Sequence, residues 1–560
     1  MSFDFVSRRS PVLARNGMVA SSEPLATTAG IKILLQGGNA ADAAIATAAA
    51  LNVTEPHMTG LGGDCFVLFY DAKTKQVSAL NGSGRAPAAL TLDVIKRDNL
   101  ISNLQSPISD PNHAHNITVP GTCAGWCDFL ARHGTLSLCD VLTPAIQLAE
   151  EGFPVSPLAA RGWHAGAEGK LKTALNGQEM TLGGRAPRAG EIFRNPGLAR
   201  SFRVIAEGGK DAYYRGEMAR AIVDAVQKSG GVMTEQDLAE HTSTWDEPIS
   251  TTYRGVRVWE CPPNGQGLTA LLALNILEGF DLRALPPLGA ARLHLMIEAL
   301  RLAFADAEWY VADPKFAPAP LADLLSKKYA AERRARIDPQ HAIRSTSHGE
   351  PAADSNTVYF CVVDGAGNAA SFINSNYSAF GTGIVPKGWG FVLQNRGHGF
   401  ALDPNHPNAL EPRKRPYHTI IPGMLTRDLV GATGPSPLQE PIAPLQELIA
   451  PFGVKGTFMQ PQGHVQVVVG MIDDGLDPQA ALDRPRFRVT EAVAHSEVKL
   501  EEGISFETLS VLARMGHAII PLTGYARTEF GTGQIIQRDP ETGVLWGGSE
   551  PRADGCAIGF

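Results

Sequence analysis

Residues 354–368 read DSNTVYFCVVDGAGN. Ser355 and Asn356 are small and polar; after Thr357, Val358, Phe360 and Val362 alternate with Tyr359, Cys361 and Val363 up to the turn residues DGAGN. Period-two alternation closed by an Asp/Gly/Asn cluster predicts a β-strand that opens on Thr357. A β-branched residue suits that position for packing alone, so the pattern by itself assigns Thr357 no chemistry.

The residues before it supply a reason to look further. LSKKYAAERRARIDPQHAIRSTSHGEPAADSN, residues 325–356, is charged and then poor in apolar side chains, which predicts a helix running out into an exposed loop. An exposed loop is a natural place to cut a chain. Cleavage between Asn356 and Thr357 would give the threonine a free α-amine with a reference pKa of about 7.7–8.0, able near neutral pH to take the proton of its own hydroxyl.

Upstream, ATTAGIKILLQGGNAADAAIATAAALN (26–52) predicts two helices broken at Gly-Gly-Asn, the second apolar on nearly every side and therefore buried. CFVLFYDAKTKQVSALN (65–81) predicts two strands around a polar turn. Residues 136–279 read as helix-rich, and GAARLHLMIEALRLAFADAEWYVADP (289–314) as the longest helix. After Thr357 the pattern turns to short strands with Gly-rich turns. The proline-rich residues 430–451 read as a surface insertion. Length alone suggests two to four domains. Strands near both ends, covered by strongly apolar helices, favour instead one α+β layered core that the loop before Thr357 interrupts.

Composition narrows the function. A formal net charge of -8 without runs of like charge offers no basic field for nucleic acid. The seven cysteines form no Cys-x-x-Cys pair and read as reduced core thiols. The N-terminus carries no continuous apolar stretch, and the expectation is a cytoplasmic protein without a membrane span. GLGGD and DGAGN lack the spacing of a phosphate loop. His113 and His115 have no carboxylate partner at metal spacing and read as solvated loop residues. Asp306 and Glu308, two apart on a helix, face different ways. No Gly-x-Ser-x-Gly elbow is present. No metal and no cofactor are expected.

The stretches GGNAADAAIA, TGLGGDCF, VPGTCAGW, AFADAEWYVADP, NTVYFCVVDGAGNAASFINSNYSAFGTGIV, KRPYHTIIPGM and GGSEPRADG occur in this order along nearly the whole chain. As a set they resemble the γ-glutamyltransferase family of N-terminal-nucleophile hydrolases, and within it the branch of γ-glutamyltransferase-like proteins, oxamate amidohydrolase and cephalosporin acylases. The resemblance implies a four-layer αββα sandwich and a precursor that cleaves itself before Thr357. The products would be a large subunit of residues 1–356 and a small subunit of residues 357–560, intertwined in one domain. Thr357 would attack first the preceding carbonyl and then a substrate amide, with water or an acceptor amine completing hydrolysis or transfer. The implied activity is cleavage of the γ-glutamyl group of glutathione or related small amides.

Other roles carry over position by position. Ser375 stands where the family has a threonine that supports the nucleophile's amine. Gln462 and Gly463 match two residues whose backbone amides form the oxyanion hole, and Asn395 belongs to the strand lining the site. Departures concentrate on substrate contacts. Ser83 occupies the slot of the arginine that holds the substrate's α-carboxylate, and Arg85 is the nearby candidate replacement. The acidic partner of the α-ammonium falls at Gly399, beside His398. The paired serines fall at His418 and Thr419, and an asparagine at Tyr377. These changes raise two alternatives to γ-glutamyl chemistry: an acylase or small-amide hydrolase for a non-glutamyl acyl group, and a catalytically silent paralogue.

Overall fold

The computed structural model describes residues 9–103, 107–343, 357–429, 444–490 and 496–560. Among these residues two seven-stranded sheets dominate. The first, the Thr357 sheet, runs in the order Cys556–Gly559, Gly17–Ser21, Val358–Asp364, Ala369–Ser375, Asp64–Asp71, Gln76–Gly82, Thr244–Asp246. The facing sheet runs Val12–Ala14, Leu545–Ser549, Thr532–Arg538, Gln446–Lys455, Gly423–Asp428, Val256–Glu260, Ile249–Tyr253. Neighbours pair antiparallel throughout both sheets. Each sheet takes strands from both sides of Thr357, so a cut there would leave two pieces sharing both sheets.

The alternation around Thr357 sets the layers. Val358, Phe360 and Val362 pack with buried residues of the helices Pro24–Leu35, Ala40–Thr54 and Thr122–His133. Tyr359, Cys361 and Val363 turn the other way and meet Met424, Leu448 and Ile536 of the facing sheet. That sheet's outer face, with Val258, Leu425, Phe452 and Ile535, packs on the helices Gly267–Leu277, Ala290–Tyr310 and Met459–Ile472. The result is the expected helix, sheet, sheet, helix stack. Ala40–Thr54 is buried at every position, and a capping box of Asn39 and Asp42 starts it at the predicted Gly-Gly-Asn break.

Several expectations need correction. The helix-rich reading of 136–279 fails at 244–260, where three strands form. ISTTY and VRVWE alternate with period two around Arg254 and Gly255, which both take positive φ (52° and 82°) in a two-residue hairpin turn. The proline-rich segment is not loop to residue 451, because Gln446–Lys455 is a strand with Leu448 and Ala450 buried. Residues 430–443 lie outside the described residues. His115 is buried rather than solvated, its Nε2 2.8 Å from Asp98 Oδ2. Cys139 is exposed, although four of the other cysteines are buried. Among the described residues no helix is long and apolar enough to cross a membrane.

Candidate active site

Register brings the central pair together. Val358 stands opposite Asn374, so Thr357 faces Ser375 at the mouth of the hairpin, and Ser375 in turn pairs with Asp64 on the next strand. Thr357 shares its face with Tyr359, and its hydroxyl points between the sheets. Thr357 Oγ1 lies 3.0 Å from Ser375 Oγ, with both residues buried. Ser375 Oγ accepts the Tyr377 N–H at 2.9 Å and Arg396 Nη2–H at 3.3 Å. With two N–H groups on its lone pairs, it is the better hydrogen-bond donor of the hydroxyl pair.

That hydrogen bond accompanies an unusual backbone. Tyr377 has φ 73°, left-handed for a bulky side chain, and the turn carries its ring beneath the Arg396 guanidinium, with Cζ 4.4 Å from the ring centroid. The glycines of TGLGGD let another loop close against this turn. A Cβ on Gly63 would meet the Ser375 carbonyl oxygen at 2.2 Å, and one on Gly62 the Val392 carbonyl oxygen at 2.0 Å.

Asp64 ends that loop and anchors the far side. Oδ1 accepts the N–H groups of Gly84 (3.1 Å) and Gly121 (3.2 Å) and the Gln394 side-chain amide (3.0 Å), while Oδ2 takes His418 Nε2–H at 3.1 Å. His418 Nδ1 faces the Ile420 N–H at 3.4 Å, which fixes the proton on Nε2. Burial, reinforced by the Arg396 charge and opposed by Asp64, holds His418 down to about 3, so it is neutral at pH 7. Arg396 is also buried. Desolvation brings it down to about 10, with Asp64 and Tyr377 pulling the other way, and it stays cationic. Its Nη1 donates to Thr419 Oγ1 at 2.8 Å.

Of the residues singled out from the sequence, Thr357, Ser375, Tyr377, His418 and Thr419 therefore form one buried cluster around Arg396 and Asp64. The others lie outside that network, with Asn395 at its edge, next to Arg396 and bonded to the residues either side of Tyr377. Among the described residues the Arg85 side chain hydrogen-bonds only the Thr242 carbonyl, at 3.4 Å, and Arg415 Nη2 approaches the same oxygen at 3.5 Å. Arg415 Nε also donates to the Ser83 carbonyl at 3.1 Å. The Asn395 side chain is spent on structure, donating to the Pro111 carbonyl at 2.9 Å and accepting Ser378 N–H and Oγ–H at 3.1 and 2.9 Å. His398 is half-buried with its ring 6.4 Å from that of Tyr377, and burial lowers its pKa. Asn356 lies outside the described residues.

Gln462 and Gly463 fall at the fourth and fifth positions of the helix Met459–Ile472. The Gln462 side chain bridges the Phe458 carbonyl and both backbone groups of Val489, and a Cβ on Gly463 would strike Val454 at 2.6 Å. The helix start nevertheless abuts the cluster, because Gln266 Nε2 joins the carbonyls of Thr419 (2.6 Å) and Thr457 (2.8 Å). Its positive end therefore lies on that side of the cluster, as does that of Gly267–Leu277, whose N-cap Gln266 donates its backbone N–H to the His418 carbonyl at 3.0 Å.

The sequence singles out none of Asp64, Gln394 and Arg396, although Asp64 lies in TGLGGD and the other two in LQNRG, residues 393–397. One grouping of metal-ligand type occurs among the described residues, His294, Glu298 and His517. Its atoms pair with each other and with protein: His517 Nε2 meets His294 Nδ1 at 2.8 Å, His294 Nε2 meets the Asp338 carbonyl at 2.7 Å, and Arg301 Nη1 lies 2.8 Å from Glu298 Oε1 and 3.3 Å from His517 Nδ1. A cation already occupies the network.

Comparison with known proteins shows the family. The family model described as Gamma-glutamyltranspeptidase matches residues 26–560. The glutathione hydrolase-like YwrD proenzyme of Bacillus subtilis (strain 168) is 38% identical, over 98% of this chain and 99% of its own length. The oxamate amidohydrolase proenzyme of Klebsiella pneumoniae is 31% identical, over 98% and 99%. Among solved structures, a cephalosporin acylase from Bacillus halodurans superposes with a TM-score of 0.89 at 44% identity, covering 100% of this chain and 98% of that one.

Proposed function

The chain belongs to the gamma-glutamyltranspeptidase family, and on that premise we propose that it is a self-processing amide hydrolase with Thr357 as nucleophile. The observation that carries the reading is the buried Thr357 hydroxyl 3.0 Å from Ser375 Oγ at the open end of a central hairpin. In the first reaction Thr357 Oγ attacks the Asn356 carbonyl carbon, the amide becomes an ester, and water hydrolyses it. Residues 1–356 and 357–560 then form the large and small subunits, and Thr357 has a free amine.

In the second reaction that amine takes the hydroxyl proton as Oγ attacks a substrate amide, and returns it to the departing amine. Water cleaves the acyl-threonine ester, or an acceptor amine takes the acyl group. Ser375 steadies the nucleophile. The first turn of helix Met459–Ile472, with Gln462 and Gly463, is the candidate source of oxyanion donors, which requires that turn to rearrange. Small amides carrying a γ-glutamyl group, glutathione among them, are the first substrates to try, since relatives bear that name.

A second reading of the acyl group rests on charge. Gly399 and His398 offer no carboxylate to an α-ammonium, and Asp64 is already taken by four donors. An ammonium would enter beside the Arg396 cation without a partner, which favours acyl groups that lack one.

Intact-mass analysis of wild type and Thr357→Ala, with N-terminal sequencing of the smaller fragment, tests the nucleophile. The expected result is two wild-type chains, the smaller beginning at Thr357, and an alanine variant that stays at 59.6 kDa. A folded wild type that stays whole overturns the reading and leaves a silent paralogue.

A further inference from the structure

Arg396 opens the short turn Arg396–Gly399 and has no solvent exposure. A guanidinium presents five N–H donors in one plane. One goes to Thr419 Oγ1 and one to Ser375 Oγ, Tyr377 covers a face, and among the described residues Nε has no partner. Among the described residues Arg396 forms no ion pair with a carboxylate, and the nearest acidic group acting on it, Asp64, is held by His418, Gln394 and two backbone N–H groups. Burying a cation without an anion in contact is unfavourable, and the unused donors suit an anion supplied from outside.

The placement limits what that anion is. One hydroxyl, Ser375 Oγ, separates Arg396 Nη2 from Thr357 Oγ1, at 3.3 and 3.0 Å. An anion on Arg396 therefore sits a short chain away from any carbonyl that Thr357 attacks. Arg85 has no such connection, since its hydrogen bond goes to Thr242. We propose that Arg396 is the specificity-determining residue of the acyl site, receiving on its unpaired N–H donors the carboxylate of a short dicarboxylic half-amide. This rests on Thr357 being the nucleophile.

The test compares succinyl and glutaryl p-nitroanilides with butanoyl and pentanoyl p-nitroanilides of equal chain length, on wild type, Arg396→Gln and Arg396→Lys, after mass analysis of each protein. Wild type is expected to prefer at least one anionic amide over its uncharged counterpart by on the order of 10²-fold in kcat/KM. Arg396→Gln brings that ratio to within a few-fold of one, mainly through KM, and Arg396→Lys keeps part of it. Succinate or glutarate should inhibit wild type competitively where pentanoate does not, which decides the matter even if Arg396→Gln fails to fold. A wild type with no anionic preference and no such inhibition overturns the proposal. So does a glutamine variant that slows charged and uncharged amides equally, since that marks a role exerted through Ser375. A wild type that does not self-cleave, or hydrolyses none of the amides, sinks the Thr357 reading instead.

Discussion

Thr357 and Ser375 face one another across the mouth of a hairpin, their hydroxyl oxygens 3.0 Å apart and both buried. Ser375 also holds the left-handed Tyr377 through its N–H. Ser375→Ala removes both contacts, and both self-cleavage and amide hydrolysis are expected to slow by on the order of 10–10³-fold. Ser375→Thr keeps the hydroxyl and should retain most of each rate. Time courses of chain cleavage and kcat for a chromogenic amide read this. An alanine variant as fast as wild type would remove Ser375 from the mechanism.

Asp64 meets Gly84 N–H, Gly121 N–H, the Gln394 amide and His418 Nε2–H without a single exposed atom of its own. In Asp64→Asn one end of the side chain becomes a donor. If it faces His418, that ring must move its proton to Nδ1, where the Ile420 N–H already points. Arg396 and Arg415 also lose the negative charge that raises their pKa values. A destabilisation of about 3–5 kcal/mol is expected from the uncompensated charge. Chemical denaturation of the processed protein measures it, and a loss under about 1 kcal/mol contradicts the assignment of Asp64 as the anchor.

The fold was legible wherever one residue's neighbours in sequence determine its face. Alternation at Val358–Val363 sorts side chains into two cores that the structure keeps separate. Helix Ala40–Thr54 announces its burial by having no polar stripe. The site was legible only through Thr357 and Ser375 and the family resemblance. Asp64 and Arg396 look like ordinary surface charges in sequence, because their burial depends on strands and loops that register brings from far along the chain. Arg85 is charged and near the right place in sequence, yet its hydrogen bond goes to Thr242. His115 misleads for the same reason, since its partner Asp98 sits in a different turn. The strands at 244–260 are hard to read because helical sequence on both sides, Glu217–Lys228 before and Gly267–Leu277 after, masks five-residue alternations.

Acid stability follows from the buried histidines. Burial holds His57, His241, His418 and His517 down to about 3 each, against 6.5 in the unfolded chain. Between these values the unfolded state binds protons that the folded state does not, so stability falls as pH drops from about 6.5 towards 3. At pH 5 each such histidine costs on the order of 2 kcal/mol relative to pH 7. Burial raises the carboxyls of Glu23, Glu55 and Glu260, which act in the opposite sense. The histidine contribution is therefore read by comparing variants: between pH 7 and 5, His418→Gln should change the slope of stability against pH by about one proton relative to wild type. A slope identical to wild type would mean that His418 is charged in the folded protein at pH 5.

Glu298 and Arg301 form a buried pair at 2.8 Å on helix Ala290–Tyr310, and the pair reaches beyond the helix. Glu298 Oε2 accepts the Ile343 N–H at 2.7 Å, Arg301 Nη2 donates to the Ser496 carbonyl at 2.9 Å, and the proton chain through His517 and His294 ends on the Asp338 carbonyl. Segment 338–343 is thereby tied down ahead of the proposed cleavage point. Glu298→Gln leaves Arg301 without its anion and turns an amide N–H₂ towards either Arg301 or Ile343. The expected cost is about 3–5 kcal/mol, with faster hydrogen exchange at Ile343 than at other buried amides. Because the histidines and the glutamate already satisfy one another around a guanidinium, a chelator should leave the wild-type melting temperature where it was. A fall in melting temperature with chelator, restored by a divalent cation, would show instead that a metal displaces Arg301 from this network.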